Sequence, residues 1–476
     1  MLYIVGFLLV IIAVAMMVPM ATDLVVGNDD WVAFALSALI TLFLGGALAL
    51  TCYQPQIELT LRQTFVLTTV SWMGVAAVSG LPFYFSEYRF NLADSYFEAM
   101  SGLTTTGATV IVGLDTAPPG LLLWRSLLQW LGGLGIVVMA IAILPFLRIG
   151  GMQLFHSESS DRSDKVVPRV SDLAISIGVL YLILTMMCFG LLRIAGMTSF
   201  DAINHAMTTV STGGFSTKDA SVGYWPQAGV QWTIVLFMIA GALPFVRYIS
   251  FVKGDYDVFW RDSQVRRFLL FLLFCWLVVA LWLTATSDVP FWGALRLAAF
   301  NVTSIMTTTG FATDNYSLWG PWAVGLFFLF TFIGGCTGST TGGIKVFRFE
   351  ILGLMLKNQL VRLYSPHQVQ RREYNDKPFG TEVLISVASF FFVFFTFYLV
   401  FSVSLALTGL DFVTATSGAA TALANVGPGL GEVIGMAGNF STLPNNAKWL
   451  LALAMLLGRL EFFTVLVMMT PGFWKR

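Results

Sequence analysis

Four short stretches rich in threonine, serine and glycine are where this chain could do chemistry. They read DSYFEAMSGLTTTGATV from Asp94, DAINHAMTTVSTGGFST from Asp201, ALRLAAFNVTSIMTTTGFATD from Ala294 and DFVTATSGAATALANVGPGLG from Asp411. Aligned at the turn, they pair Thr106 with Gly107, Thr212 with Gly213, Thr309 with Gly310 and Val426 with Gly427. Such turns hold no nucleophile with its base. They offer backbone carbonyls, because glycine permits φ values that larger residues resist. Carbonyls converging from four strands can replace the water around a dehydrated cation. The side chains of Thr104, Thr105, Thr208, Thr209, Thr307 and Thr308 are expected to tie helices to their neighbours rather than to meet an ion.

A second glycine cluster lies within an apolar run. Gly334, Gly335, Gly338, Gly342 and Gly343 alternate with Cys336, Thr337, Ser339, Thr340 and Thr341, and Lys345 follows. Each glycine costs about 1 kcal/mol in a helix interior. Residues 334–343 should therefore unwind, and unwound backbone at membrane depth must face protein or a watery conduit. Arg459 and Glu461 sit in the last apolar run, where an unpartnered charge costs a few kcal/mol. Arg459 is placed facing the conduit, holding the glycine-rich loop through carbonyl or hydroxyl contacts. A salt bridge between neighbouring helices is the alternative. Arg125 and Arg193, near helix ends, read as snorkelling anchors.

The remaining composition excludes other chemistries. No HExxH, GxSxG, GxxxxGK or GxGxxG stretch occurs, and there are only 3 His, so the chain is expected not to be an enzyme. The 4 Cys show no CxxC spacing. Lys+Arg and Asp+Glu both number 26, which leaves no basic surplus for a nucleic acid. With 57% hydrophobic and only 11% charged residues, the composition is that of a membrane protein.

A bilayer core takes roughly 20 helical residues to cross, and ten apolar runs reach that length: 2–22, 31–53, 63–86, 120–147, 171–195, 229–252, 267–286, 321–357, 380–408 and 447–470. With both termini cytoplasmic, 19 of the 26 Lys and Arg fall inside. The opposite face receives Asp23, Asp30, Glu98, Asp94, Asp115, Asp201, Asp219, Asp314 and Asp411 among others, as helix caps or as a field that gathers cations. After the first two runs, eight fall into four pairs. Each pair encloses one threonine-glycine stretch too short to span, so it must enter and leave on one side. The expected architecture is an all-α polytopic membrane protein of about ten transmembrane helices, built as an N-terminal hairpin (1–61) and four helix/re-entrant loop/helix repeats (62–150, 151–262, 263–375 and 376–476).

These features together resemble the Trk/Ktr/HKT superfamily of potassium transporters, most closely its TrkH type. Besides the four turns, LLQWLGGLGIVVMAIAILPFLRIGGMQLF from Leu127, GGCTGSTTGGIKVFR from Gly334 and NVGPGLG from Asn425 look like that family's hallmarks. The resemblance implies a fourfold pseudosymmetric pore within one chain, a homodimer with one pore per subunit, and a bacterial inner membrane location. It implies that residues 334–343 form an intramembrane gate, with Lys345 and Arg459 in support. Relatives with Ser at the first filter glycine favour sodium. Gly107 here implies potassium as the transported ion, with no organic cofactor. Val426, where the other loops carry Thr, departs from the pattern.

The rival reading is a proton- or sodium-coupled secondary transporter with inverted repeats. Two crossings per unit keep all four turns on one face, which suits a shared pore instead. The cytoplasmic face carries Arg148, Arg162, Lys165, Arg169, Arg261, Arg266, Arg267, Arg362, Arg371, Arg372 and Lys377. The resemblance implies that a TrkA-like ring of nucleotide-binding regulatory domains docks there.

Overall fold

The structure, a computed structural model, describes residues 1–54, 59–142, 170–368, 373–375 and 377–475. Its regular structure is helical apart from one small antiparallel hairpin, Glu373–Tyr374 against Lys377–Pro378. Arg148, Arg162, Lys165, Arg169, Arg371, Arg372 and the boundary between the first two repeats lie outside the described residues.

Among the described residues, seven helices are long and apolar enough to cross a membrane: Leu2–Val26, Trp31–Thr51, Leu61–Phe85, Pro119–Met139, Asp172–Ile194, Ser263–Thr286 and Thr381–Leu407. Polarity is inverted relative to a water-soluble fold. Phe43, Ile175, Phe274 and Phe392 are exposed, while Thr106, Thr212, Thr309 and Asn425 are buried. An apolar exterior of this extent is a lipid-facing one. The N-terminal hairpin closes at Gly6 and Gly45, where an added Cβ would come within 2.9 Å of the facing helix's backbone. It is tied to the first repeat by Gly120 N–H, which donates to Asp23 Oδ1 at 2.6 Å.

The expectation of ten spans is corrected at two of them, and the break expected in a third is present; all three are second helices of a repeat. Run 229–252 is two helices, Ala228–Ala242 and Phe245–Val252, bent by 95°. Pro244 sits at the break, where it has no N–H to continue the ladder. Run 447–470 is likewise Asn445–Arg459 and Phe463–Met469, bent by 108°. There Glu461 and Phe462 are left-handed, with φ of 58° and 52°. Arg459 and Glu461 take different partners on either side of that bend. Run 321–357 is Pro321–Thr331 and Val346–Tyr364, separated by the glycine-rich loop. The five glycines announced this last break; hydropathy hid the other two, because it does not sense backbone direction.

Four half-length helices complete the repeats: Leu92–Leu103, Ser199–Val210, Phe291–Met306 and Phe412–Ala424. Three begin on a side-chain cap. Asn91 accepts from Asp94 N–H, Thr198 from Asp201 N–H and Asp411 from Thr414 N–H. All four end alike, with a residue in left-handed conformation: Thr105, Thr212, Thr308 and Asn425, with φ of 54°, 52°, 56° and 54°. The next N–H then reaches back to close the helix, Thr106 to Ser101, Gly213 to Thr208, Thr309 to Ser304 and Val426 to Thr421, at 2.9, 2.8, 2.8 and 3.0 Å. Asparagine tolerates this conformation. A β-branched threonine does so only under strain of about 1–3 kcal/mol.

Candidate ion filter and intramembrane gate

Those helix ends fix the register of the four strands that follow, and the register differs from the sequence alignment in one loop. The left-handed glycines are Gly107 (φ 86°), Gly214 (80°), Gly310 (82°) and Gly427 (110°). The residues before them are Thr106, Gly213, Thr309 and Val426. In the second repeat the pair is therefore Gly213-Gly214 rather than Thr212-Gly213. Thr212 is instead the equivalent of Thr105. Two consecutive glycines made either alignment possible on paper.

The strands meet in cyclic order. A Cβ on Gly107 would collide with the carbonyl oxygen of Gly213, one on Gly214 with that of Thr309, and one on Gly310 with that of Val426. A Cβ on Gly427 would sit 2.7 Å from that of Thr106, which closes the ring. Each glycine is thus required twice, by its positive φ and by the carbonyl of the next repeat. The half-helix C-termini, with their partial negative charge, point at this ring.

The ascending strands are braced from behind. In the first repeat, Glu98 accepts from Val110 N–H at 2.9 Å and from Thr109 Oγ1 at 3.0 Å. Its other partner is Arg125, whose Nε lies 2.8 Å away and whose Nη1 donates to Ser216 O at 3.0 Å. Arg125 is 1% exposed. It is a buried strut between the strands that follow the first two half-helices, and the snorkelling assignment is corrected. Arg193 is exposed at its helix end and donates through Nη1 to Met197 O. In the second repeat His205 Nε2 is 2.9 Å from Ser216 Oγ and Nδ1 is 2.8 Å from Asp201 O. In the third, Asn301 Nδ2 donates to Thr313 Oγ1 at 2.9 Å. Glu98, His205 and Asn301 each precede their strand's left-handed glycine by nine positions. That shared offset of polar residues was visible in the sequence once the second loop was set in register.

Many of the acids expected on the outer face turn out to be engaged. Asp94 pairs with Lys448 at 2.6 Å, Asp115 with Lys218 at 3.3 Å, and Asp219 accepts from Leu114 N–H at 3.1 Å. Asp201 accepts from Thr217 Oγ1 at 2.6 Å. Hydrogen bonds from the Thr414 hydroxyl and backbone hold the Asp411 carboxyl below the usual carboxylate range. These acids hold loops and helix ends.

Beneath the ring, residues 334–343 are non-helical and pressed against the half-helix ends. Gly342 N–H donates to Thr308 Oγ1 at 2.7 Å, Gly343 N–H to Ala424 O at 2.8 Å, and Thr212 Oγ1 lies 3.1 Å from Thr340 Oγ1. The bend at Pro244 supplies the other side. Cys336 N–H donates to Ala242 O at 3.0 Å, Thr340 N–H to Gly241 O at 3.1 Å, and Phe245 N–H to Gly338 O at 2.9 Å. Groups freed by one helix break are satisfied by the other. Arg459 Nη2 donates to Thr340 O at 2.9 Å. Lys345 Nζ donates to Thr341 O and, at 3.0 Å, to Thr341 Oγ1. Glu461 pairs with Arg348 rather than with Arg459. A cavity of about 30 Å³, room for one water, lies among these groups. Gly334 and Gly335 line the loop's upstream limb, where a Cβ on Gly334 would strike Gly342 O.

Among the described residues, no three His, Cys, Asp or Glu gather as a metal site, and the four cysteines are free. What the ring can offer a cation is backbone oxygens, a donor set suited to a hard monovalent ion.

Known proteins match this chain over nearly their full length. The family described as "TrkH: Cation transport protein" matches residues 32–475. The Trk system potassium uptake protein TrkI of Halomonas elongata is 45% identical over 98% of this chain and 95% of its own length. The Trk system potassium uptake protein TrkH of Salmonella typhimurium is 37% identical over 99% and 98%. The crystal structure of the potassium transporter TrkH from Vibrio parahaemolyticus superposes with a TM-score of 0.92 at 36% identity, covering 100% of this chain and 99% of that one. An all-α membrane chain with four half-helices around a closed glycine ring, matched along nearly its whole length, belongs to the TrkH family of cation transport proteins.

Proposed function

We propose that this chain takes up potassium through the ring of Thr106, Gly213, Thr309 and Val426 carbonyls, with Gly107, Gly214, Gly310 and Gly427 permitting their approach. The observation that carries this is the closed cycle in which each glycine abuts the carbonyl of the next repeat. Thr212 buttresses the second strand from below. Residues 334–343 are the gate, with Gly338, Gly342, Gly343, Lys345 and Arg459 holding the closed form. Among the described residues lining the cavity, Lys345, Arg348 and Arg459 stand against the carboxylate of Glu461, which opposes cation passage while the loop stays in place.

The protein works in a bacterial plasma membrane with both termini cytoplasmic, as a homodimer with one pore per subunit. A cytoplasmic nucleotide-binding partner controls the gate, in keeping with relatives named as parts of a Trk system. On the proposed docking face, Arg261 is engaged by Asp255 and Asp257 and Arg267 by Glu350. Exposed Arg266 and Arg362 are the better candidates for contacting an acidic partner. Flux of potassium, rubidium and sodium into liposomes holding the purified protein tests the reading. Equal permeation of sodium and potassium would overturn it.

A further inference from the structure

The ring has one position without a side chain. Its carbonyl-bearing residues are Thr106, Thr309, Val426 and Gly213. Thr106 Oγ1 is 2.8 Å from Thr104 Oγ1 and accepts from Asn425 Nδ2 at 3.0 Å. Thr309 Oγ1 is 2.8 Å from Thr307 Oγ1, and Val426 is fully buried. These side chains wedge each strand against the protein behind it. Gly213 has none, and its backbone does not call for glycine, since it is absent from the left-handed positions that include Gly214.

The space is filled from another repeat. A Cβ on Gly213 would collide with the amide group of Gln129, with Nε2 at 2.8 Å. Gln129 is fully buried on helix Pro119–Ala142 of the first repeat. Its Nε2 donates to Gly213 O at 2.6 Å, and its Oε1 accepts from Phe215 N–H at 3.0 Å. One helical turn earlier on the same face, Arg125 donates to Ser216 O and lies 4.0 Å from the Phe215 ring. One turn later, a Cβ on Gly133 would come within 2.8 Å of Ser211 Cβ. Arg125, Gln129 and Gly133 thus form one stripe at helical spacing, and the second filter strand rests on it.

We infer that Gln129 is a filter-positioning residue, whose side chain takes the place of the threonine missing from the second strand and sets the orientation of the Gly213 carbonyl, so that ion discrimination depends on it. The inference rests on the reading of the ring as an ion filter. A neutral hydrogen bond to the carbonyl keeps that oxygen from swinging inward to the shorter distance a smaller cation would favour. It leaves the oxygen's second lone pair for the ion. The amide clamps both sides of Gly214, one residue before and one after, so it fixes the strand where its backbone is left-handed.

The test is a reciprocal exchange in purified, reconstituted protein, read as the permeability ratio of potassium to sodium. Gln129→Ala and Gly213→Thr are each expected to lower the ratio about two- to tenfold, the range spanned by net hydrogen-bond contributions. The first leaves the strand unsupported, and the second overfills the site. Gln129→Ala combined with Gly213→Thr is expected to recover most of the ratio, because the threonine then occupies the vacated space as it does in strands one and three. Gln129→Met keeps the volume, loses both hydrogen bonds, and should match Gln129→Ala in selectivity while folding as the parent does. Parental selectivity in Gln129→Met and Gln129→Ala, or a double variant no better than the worse single one, overturns the inference. Gly107→Ser run alongside separates the two readings. If it alters selectivity and the Gln129 variants do not, the filter stands and this role for Gln129 falls. If it too changes nothing, the filter reading itself has failed.

Discussion

The backbone N–H of Gly342 donates to the hydroxyl of Thr308 at 2.7 Å, joining the intramembrane loop to a left-handed threonine at the base of the third filter strand. Thr340 makes a similar approach to Thr212 in the second strand. The loop and the ring are therefore one hydrogen-bonded unit, and on the proposed reading of the ring as the ion path, disturbing the loop should alter permeation.

Replacing Arg459 by Ala removes the charged donor to Thr340 O. Charge-assisted hydrogen bonds of this kind contribute about 1.5–3 kcal/mol. Basal potassium flux into liposomes should rise about tenfold, as it should when several of residues 334–343 are deleted. Loss of flux in a folded variant would make the loop part of the conduit instead of its barrier.

Gly107→Ser places a Cβ against the Gly213 carbonyl at a positive φ. The carbonyl must yield, and discrimination against sodium should weaken about tenfold, an energy of ~1.4 kcal/mol. Reversal potentials under mixed potassium and sodium gradients read this directly. An unchanged value would count against the filter assignment.

Glu98 and Arg125 form a buried ion pair at 2.8 Å. Removing one partner strands a charge and costs about 3–5 kcal/mol. Arg125→Ala should lower the thermal unfolding midpoint in detergent by several degrees, and Arg125→Met with Glu98→Gln should lose less than the two single changes combined. Additive losses would show that the pair is not coupled.

Nucleotide control should appear only with the cytoplasmic partner. The chain holds no phosphate-cradling motif of its own, so ATP, ADP or NADH should leave the flux of the isolated protein unchanged and alter it once the partner is bound. Equal flux in both states would remove the regulatory reading and leave the pore untouched.

Much of the arrangement was legible in the residues. Period and length of the apolar runs located the helices, and the repeated threonine-glycine turns located the half-helices between them. Five glycines in ten residues marked the loop, since helix propensity alone forbids such a stretch. The second strand's register was not legible, because Gly213 and Gly214 are both glycine and only the position of the left-handed Thr212 decides between them. Nor was the burial of Arg125. Its partners Glu98 and Ser216 lie 27 and 91 positions away, and a basic residue near a helix end is as well explained by a membrane surface. The bend at residues 460–462 escaped because no proline announces it; the divergent partners of Arg459 and Glu461 make it.

The closure of the ring between Gly427 and Thr106 bears on how the protein is made. Asn425 and Thr106, whose side chains are bonded, are 319 positions apart, and Lys448 and Asp94, paired nearby, are 354 apart. A chain emerging from the ribosome inserts its first three repeats before the residue that completes the first strand exists. Contacts of such separation form late. The first filter strand must wait, with its left-handed threonine unsupported on one side, until the fourth repeat enters the bilayer. An unfinished chain thus has helices but no complete ring, and the ring closes only when the fourth repeat is in place.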